Sequence, residues 1–103
     1  MVELIGSEKQ VQWALEIRTD LREVFEAAKV QFEKWYRDRE RWNEKVEKKL
    51  KEGSKKIERA VFDNNSAKFY IETFGLSFNP RKVREANRDY FIWQMLQVFL
   101  RTL

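Results

Sequence analysis

The 103-residue sequence predicts an all-α fold: a long N-terminal helix, with Gly53 as its weak point, packed with a short middle helix and an apolar C-terminal helix in one domain over residues 1–103. Three observations predict it. A capping-box pattern opens an apolar stripe of helical period that meets neither proline nor glycine before Gly53. The single proline, Pro80, follows an asparagine at the head of a second apolar stripe, where proline at the first helical position is tolerated. No segment of convincing length alternates with the period of a strand.

The first helix starts at Glu8, because Ser7 is followed three residues later by Gln10, so that hydroxyl and amide each satisfy an early backbone N–H. From Val11 through Ala14, Ile17, Leu21, Phe25, Ala28 and Phe32 to Trp35, Trp42, Val46 and Leu50, apolar residues recur at three, four or seven. A continuous helix over 8–52 is about 65 Å long at 1.5 Å per residue. The stripe thins over Arg37 to Arg41, where a bend or an exposed turn fits. At Gly53 two readings stand: a break followed by a helix over 54–62, or continuation to Phe62, since Leu50, Ile57 and Val61 keep phase across the glycine.

Asp63 to Ser66 is a run of short polar side chains that compete for backbone hydrogen bonds, so it punctuates the chain before a short helix over 66–74. Gly75 and Leu76 suit a left-handed C-cap. Asn79 and Pro80 open the last helix, which is expected over 80–102 and is apolar nearly all round beyond Asp89. That helix covers only about 35 Å. A 65 Å rod therefore implies either a homodimer or an exposed charged arm.

Composition narrows the chemistry. There is no cysteine and no histidine, so disulfides, thiolate zinc sites, Cys or His nucleophiles and Ser-His triads are excluded by inventory. Carboxylate pairs such as Glu16 with Asp20 or Glu40 with Glu44 remain, with no pocket signal beside them, and the expectation is a non-enzymatic protein without cofactor or metal. The start of the chain lacks a basic then apolar leader pattern, and its most apolar stretch, 90–100, is too short to cross a bilayer. A cytoplasmic protein with no membrane partner is expected.

Net charge is +4, unevenly placed: residues 1–36 carry 5 basic and 7 acidic groups, 37–59 carry 10 and 6, and 60–103 carry 6 and 4. The middle therefore holds the candidate partner-binding residues. Trp35, Tyr36 and Trp42 flank Arg37, Arg39 and Arg41, and aromatics interleaved with arginine stack bases or anchor protein interfaces. Lys45, Lys48, Lys49, Lys55, Lys56 and Arg59 follow, a run able to track a phosphate backbone. Acids at i, i+4 (Glu33 with Arg37, Glu44 with Lys48, Glu47 with Lys51, Glu52 with Lys56) also fit a self-paired, solvated face. Arg81, Lys82, Arg84 and Arg88 form a smaller basic group at the start of the last helix. Trp13, Phe25, Phe32, Phe69, Phe74 and Trp93 read as core.

The opening Leu4-Ile5-Gly6-Ser7-Glu8-Lys9-Gln10, continued by Trp13-Ala14 and Ile17-Arg18, resembles a recurring start, roughly L-x-G-S-E-K-Q-x-x-W-A-x-x-I-R, of small proteins carried by bacterial phages, plasmids and conjugative elements. Ser66-Ala67-Lys68-Phe69-Tyr70-Ile71-Glu72 is similar to a second segment of that group, and departs from it at Thr73-Phe74, where members continue Asn-Arg. The resemblance implies a mobile-element origin. It makes the leading expectation a binding protein that inhibits a host defence nuclease in the manner of anti-CRISPR proteins, with a host protein or ribonucleoprotein as partner. Two alternatives are a nucleic-acid-binding accessory of the element and a purely structural oligomerisation module.

Overall fold

A computed structural model describes residues 3–74 and 84–102 of the chain. Its elements are α1 (Glu8–Asp38), α2 (Glu44–Ile57) with a π-helical turn over Glu58–Phe62, α3 (Ala67–Phe74) and α4 (Arg84–Arg101). The all-α expectation and the long N-terminal helix packed by shorter ones are what the structure shows. Residues 75–83, with the expected caps at Gly75 and Asn79, Pro80 as helix start, and Arg81 and Lys82, lie outside the described residues, as do the side chains of 84–87.

The N-terminus of α1 forms as its sequence dictates. Gln10 N–H donates to Ser7 Oγ (3.3 Å) and Ser7 N–H to Gln10 Oε1 (3.1 Å), the reciprocal capping box. Ahead of it Ile5 joins the turn before α3: Ile5 N–H donates to the Asn65 carbonyl (2.6 Å) and Ala67 N–H to the Ile5 carbonyl (3.1 Å). Ser66 then caps α3 by accepting from Phe69 N–H (3.2 Å).

The continuous helix over 8–52 is corrected, and the turn that the thinning of the stripe over 37–41 allowed is a full reversal. α1 stops at Asp38 in a Schellman arrangement, with Arg41 N–H donating to the Tyr36 carbonyl (2.8 Å) and Glu40 N–H to that of Arg37 (3.0 Å). Glu40 takes the left-handed position (φ 55°) that glycine usually fills. Asn43 restarts the helix by accepting from Val46 N–H (3.0 Å). The chain reverses between the two caps, and α2 returns antiparallel to α1: Phe62 stacks on Phe25 at 5.5 Å, and Arg22 forms a two-pronged ion pair with Glu58 (2.5 and 3.3 Å) while its guanidinium covers the Phe62 ring at 3.9 Å. Val46 is buried and Trp42 half-buried, so no free rod projects from the bundle.

Of the two readings at Gly53, the run-through is the observed one. The helix crosses it to Ile57, and Asp63 N–H then closes a π-turn onto the Glu58 carbonyl (2.9 Å). Gly53 is buried because α4 crosses there: a β-carbon would stand 2.7 Å from Phe99 Cδ1 and 3.1 Å from Phe99 Cα. Lacking a side chain is what lets the two helices approach.

α3 lies along the first half of α1 and α4 along the second half, so the chain runs up, down and up again in three legs. The core fills the seam between them. Tyr70, Phe25, Phe62, Phe99, Ile17, Leu21 and Val24 are its largest fully buried side chains, and the Phe99 ring meets Phe32 edge-on at 5.4 Å. Each such side chain contributes about 1.5–3 kcal/mol of transfer free energy. Phe25, Phe32 and Phe74 are core as expected and Phe69 is half-buried. Trp13 and Trp93 are corrected: they are 41% and 54% exposed. No helix among the described residues is long and apolar enough to cross a membrane.

Candidate partner-binding surface

The caps that reverse the chain also build a rigid corner from Trp35 to Trp42. Arg39 lays its guanidinium over the Trp35 ring at 4.0 Å and donates to the Trp35 carbonyl (3.1 Å). Arg37 covers Trp42 at 4.8 Å and pairs with Glu33 (3.3 Å). Tyr36 packs on Phe32 at 4.9 Å and is half-buried, which makes it a support of the corner rather than a contact. Arg41 is exposed. Cation–π attraction thus places each guanidinium against a ring, with one further N–H of Arg37 committed to Glu33 and one of Arg39 to the Trp35 carbonyl.

From the corner, α2 carries a cationic stripe. At 100° per residue, Lys45, Lys48, Lys49, Lys55, Lys56 and Arg59 fall within one arc of the helix, centred about 120° round the axis from buried Val46, Gly53 and Ile57. The stripe is about 21 Å long at 1.5 Å per residue. Lys49 is half-buried and donates to the Leu100 carbonyl (3.3 Å), whereas Lys45, Lys48, Lys55, Lys56 and Arg59 are exposed.

The acids are segregated from this stripe. Glu44, Glu47 and Glu58 lie on its flank; Glu47 takes Lys51, itself on that flank, at 3.9 Å, and Glu58 takes Arg22 across the bundle. Glu52 alone stands within the stripe, paired with Lys55 at 3.4 Å. These pairs are exposed or half-exposed and each contributes only a few tenths of a kcal/mol. The stripe therefore presents five exposed cations against one carboxylate. Residues the sequence reading grouped by spacing are thus brought together by the structure, except Tyr36 and Lys49, which serve the fold.

A second surface was not anticipated. Between the C-terminal half of α1 and α4 runs an apolar groove of about 350 Å³, walled by Trp35, Tyr36 and Phe32 on one side and Trp93, Leu96 and Leu100 on the other, with Gln31 and Gln97 as its polar members. Its sequence signal is the all-round apolar character of 90–100, more than a helix needs for burial on one side.

Elsewhere, burial holds the Tyr70 phenol above its ordinary pKa, against the opposing pull of nearby Arg18 and Arg22. Its hydroxyl donates to the Val61 carbonyl (2.5 Å) beneath the π-turn, a structural role. Comparison with protein-family models, with curated proteins and with solved structures finds no match to this chain.

Proposed function

We propose that this chain is a non-enzymatic binding protein of a mobile element that acts by occupying an anionic surface of a host defence nuclease or its ribonucleoprotein. The observation that supports the reading is the sorting of charge on α2, cations on one side of the helix and acids mostly on the other, with Arg37 and Arg39 continuing the positive surface round the corner. A self-paired solvated helix has no reason to sort its charges this way. Such a stripe fits two features of a defence nuclease, the phosphates of a bound guide RNA and the metal-binding carboxylates of a catalytic cleft. The choice of a nuclease as partner rests on the likeness of the Gly6 to Arg18 and Ser66 to Glu72 segments to mobile-element proteins.

The stripe also favours a second reading, direct binding of nucleic acid as an accessory of the element. Titration with short duplex DNA and single-stranded RNA separates the two. A duplex that engages five or six of these cations loses roughly a thousandfold in affinity between 50 and 200 mM salt. Micromolar binding with that slope supports the second reading, and absence of binding at low salt removes it. Co-purification from a bacterial host, with and without nuclease treatment, tests the first. The variant Lys48→Glu, Lys55→Glu, Arg59→Glu changes only exposed positions, and its retention of every partner would refute both uses of the stripe.

A further inference from the structure

The described part of α4 carries an apolar face that the bundle leaves uncovered. Tyr90, Trp93, Gln97 and Leu100 recur at helical spacing, and Tyr90 and Leu100 are 56% and 43% exposed beside the exposed Trp93. Trp35 extends the patch across the groove, itself 45% exposed. Monomeric chains seldom leave several large apolar side chains contiguous in water. The groove lining itself is apolar and uncharged; Arg39 over the Trp35 ring and Lys49 at the Leu100 carbonyl stand at its rim.

We propose that this face pairs two copies of the chain about a two-fold axis, α4 against α4 antiparallel, with Tyr90 and Trp93 of each copy seated over the groove of the other. The register follows from the positions themselves. An axis at the level of residue 95 sets Tyr90 level with Leu100 of the second copy and Trp93 level with its Gln97. The groove spans the levels of 93–100, and under this axis those levels receive residues 97–90 of the second copy. Tyr90 lies outside its own groove, one turn before Trp93, where its ring meets only the edge of Phe91 (5.3 Å) and stays 56% exposed. Each copy supplies both an aromatic knob and a hole, the self-complementarity that a two-fold interface demands.

Charge selects the antiparallel sense. Arg88 is half-buried and occupied by Glu23 (3.1 Å), leaving Asp89 and Arg101 as the exposed ionised groups among the described side chains of α4, those of 88–101. They too are symmetric about residue 95. Antiparallel pairing sets opposite charges level at both ends, whereas parallel pairing sets like charges level. This pairing does not rest on the functional reading above and leaves the α2 stripe outside the groove.

Sedimentation of the full chain from low micromolar to near-millimolar concentration tests it. A reversible monomer–dimer equilibrium is expected, with Trp93→Ala weakening the dimer by roughly thirtyfold or more, as truncation of a central aromatic anchor does. Trp93 is exposed, so the variant retains the helical signal of the parent in circular dichroism. Trp13→Ala, also exposed but at the end of α1 away from the groove, is expected to leave the equilibrium unchanged. A monomer throughout the range overturns the proposal and leaves the groove to a foreign chain. A dimer indifferent to Trp93→Ala, or weakened equally by Trp13→Ala, overturns it as well.

Discussion

Replacing Gly53 by alanine opposes two effects of known size. In an unobstructed helix the change stabilises by about 1 kcal/mol, because alanine is the better helix former. At this site the new methyl meets Phe99 Cδ1 at 2.7 Å, Phe99 Cα at 3.1 Å and Thr102 Oγ1 at 3.3 Å. The ring has little freedom to swing, since it is fully buried between Phe25 and Phe32, with centroids at 6.5 and 5.4 Å. The Cα moves only if α4 moves. Overpacking of this kind costs about 1–3 kcal/mol. Subtracting the helix gain leaves a net destabilisation of about 1 kcal/mol, or roughly 4–8 °C in Tm for a domain of this size. Urea unfolding followed by circular dichroism measures it. A Gly53→Ala variant more stable than the parent by about 1 kcal/mol would show that α2 and α4 do not approach as described, and the account of Gly53 as a contact residue would fail.

At the chain reversal, Glu40→Gly is expected to stabilise by about 0.5–1 kcal/mol, because the left-handed position costs an L residue with a side chain and costs glycine nothing. A loss of stability in the same urea assay would contradict the Schellman geometry. Tyr70→Phe removes the hydroxyl that donates to the Val61 carbonyl and is expected to cost about 1–2 kcal/mol, read from thermal melts. The same substitution tests pH dependence. Above the ordinary phenol pKa of 10.0 the unfolded chain releases a proton that native Tyr70 retains, so parental stability falls as pH rises through that range, and the difference between parent and Tyr70→Phe shrinks. A difference that is flat from neutral to strongly alkaline pH contradicts the buried phenol.

What the sequence disclosed and what it concealed have specific causes. The cap at Ser7 was legible because a hydroxyl with the right neighbours satisfies backbone groups locally, whereas Ser66, read as the first residue of its helix, is the cap that precedes it. The reversal at 39–43 showed only as a thinning of the stripe over 37–41, where a bend or exposed turn fits, because Trp35, Trp42 and Val46 stand at intervals of seven and four and so keep phase across two caps. The left-handed residue is a glutamate, which carries no glycine signal. Gly53 misleads in the other direction, since its backbone freedom suggests a break while its missing side chain serves helix packing. The cations of the candidate surface were found by composition, but their sorting from the acids needed the direction of the core, which only the fold-back of α2 defines. Trp93 was assigned to the core because periodicity cannot say which flank of an all-round apolar helix its neighbours leave open.

The reversal therefore determines both candidate surfaces. With an unbroken rod the cations of 45–59 would project away from the body, mobile with their helix; folded back onto α1 and α4 they form a fixed stripe whose backbone is immobilised by Val46, Gly53 and Ile57. Fixed charges lose less entropy when an anionic partner docks. Among the described residues the same fold-back leaves the other flank of α4 without a helix to cover it, which is where the groove and its exposed tryptophans lie. Pairing through that flank would give a dimer with two copies of the stripe, and an extended anion able to reach both would bind more tightly than one stripe allows, through effective concentration alone. The measurement that links the surfaces is the affinity of a polyanionic partner for parent and Trp93→Ala at equal chain concentration. A partner spanning both stripes loses affinity with the dimer, although Trp93 is not part of the stripe, whereas a partner confined to one stripe does not.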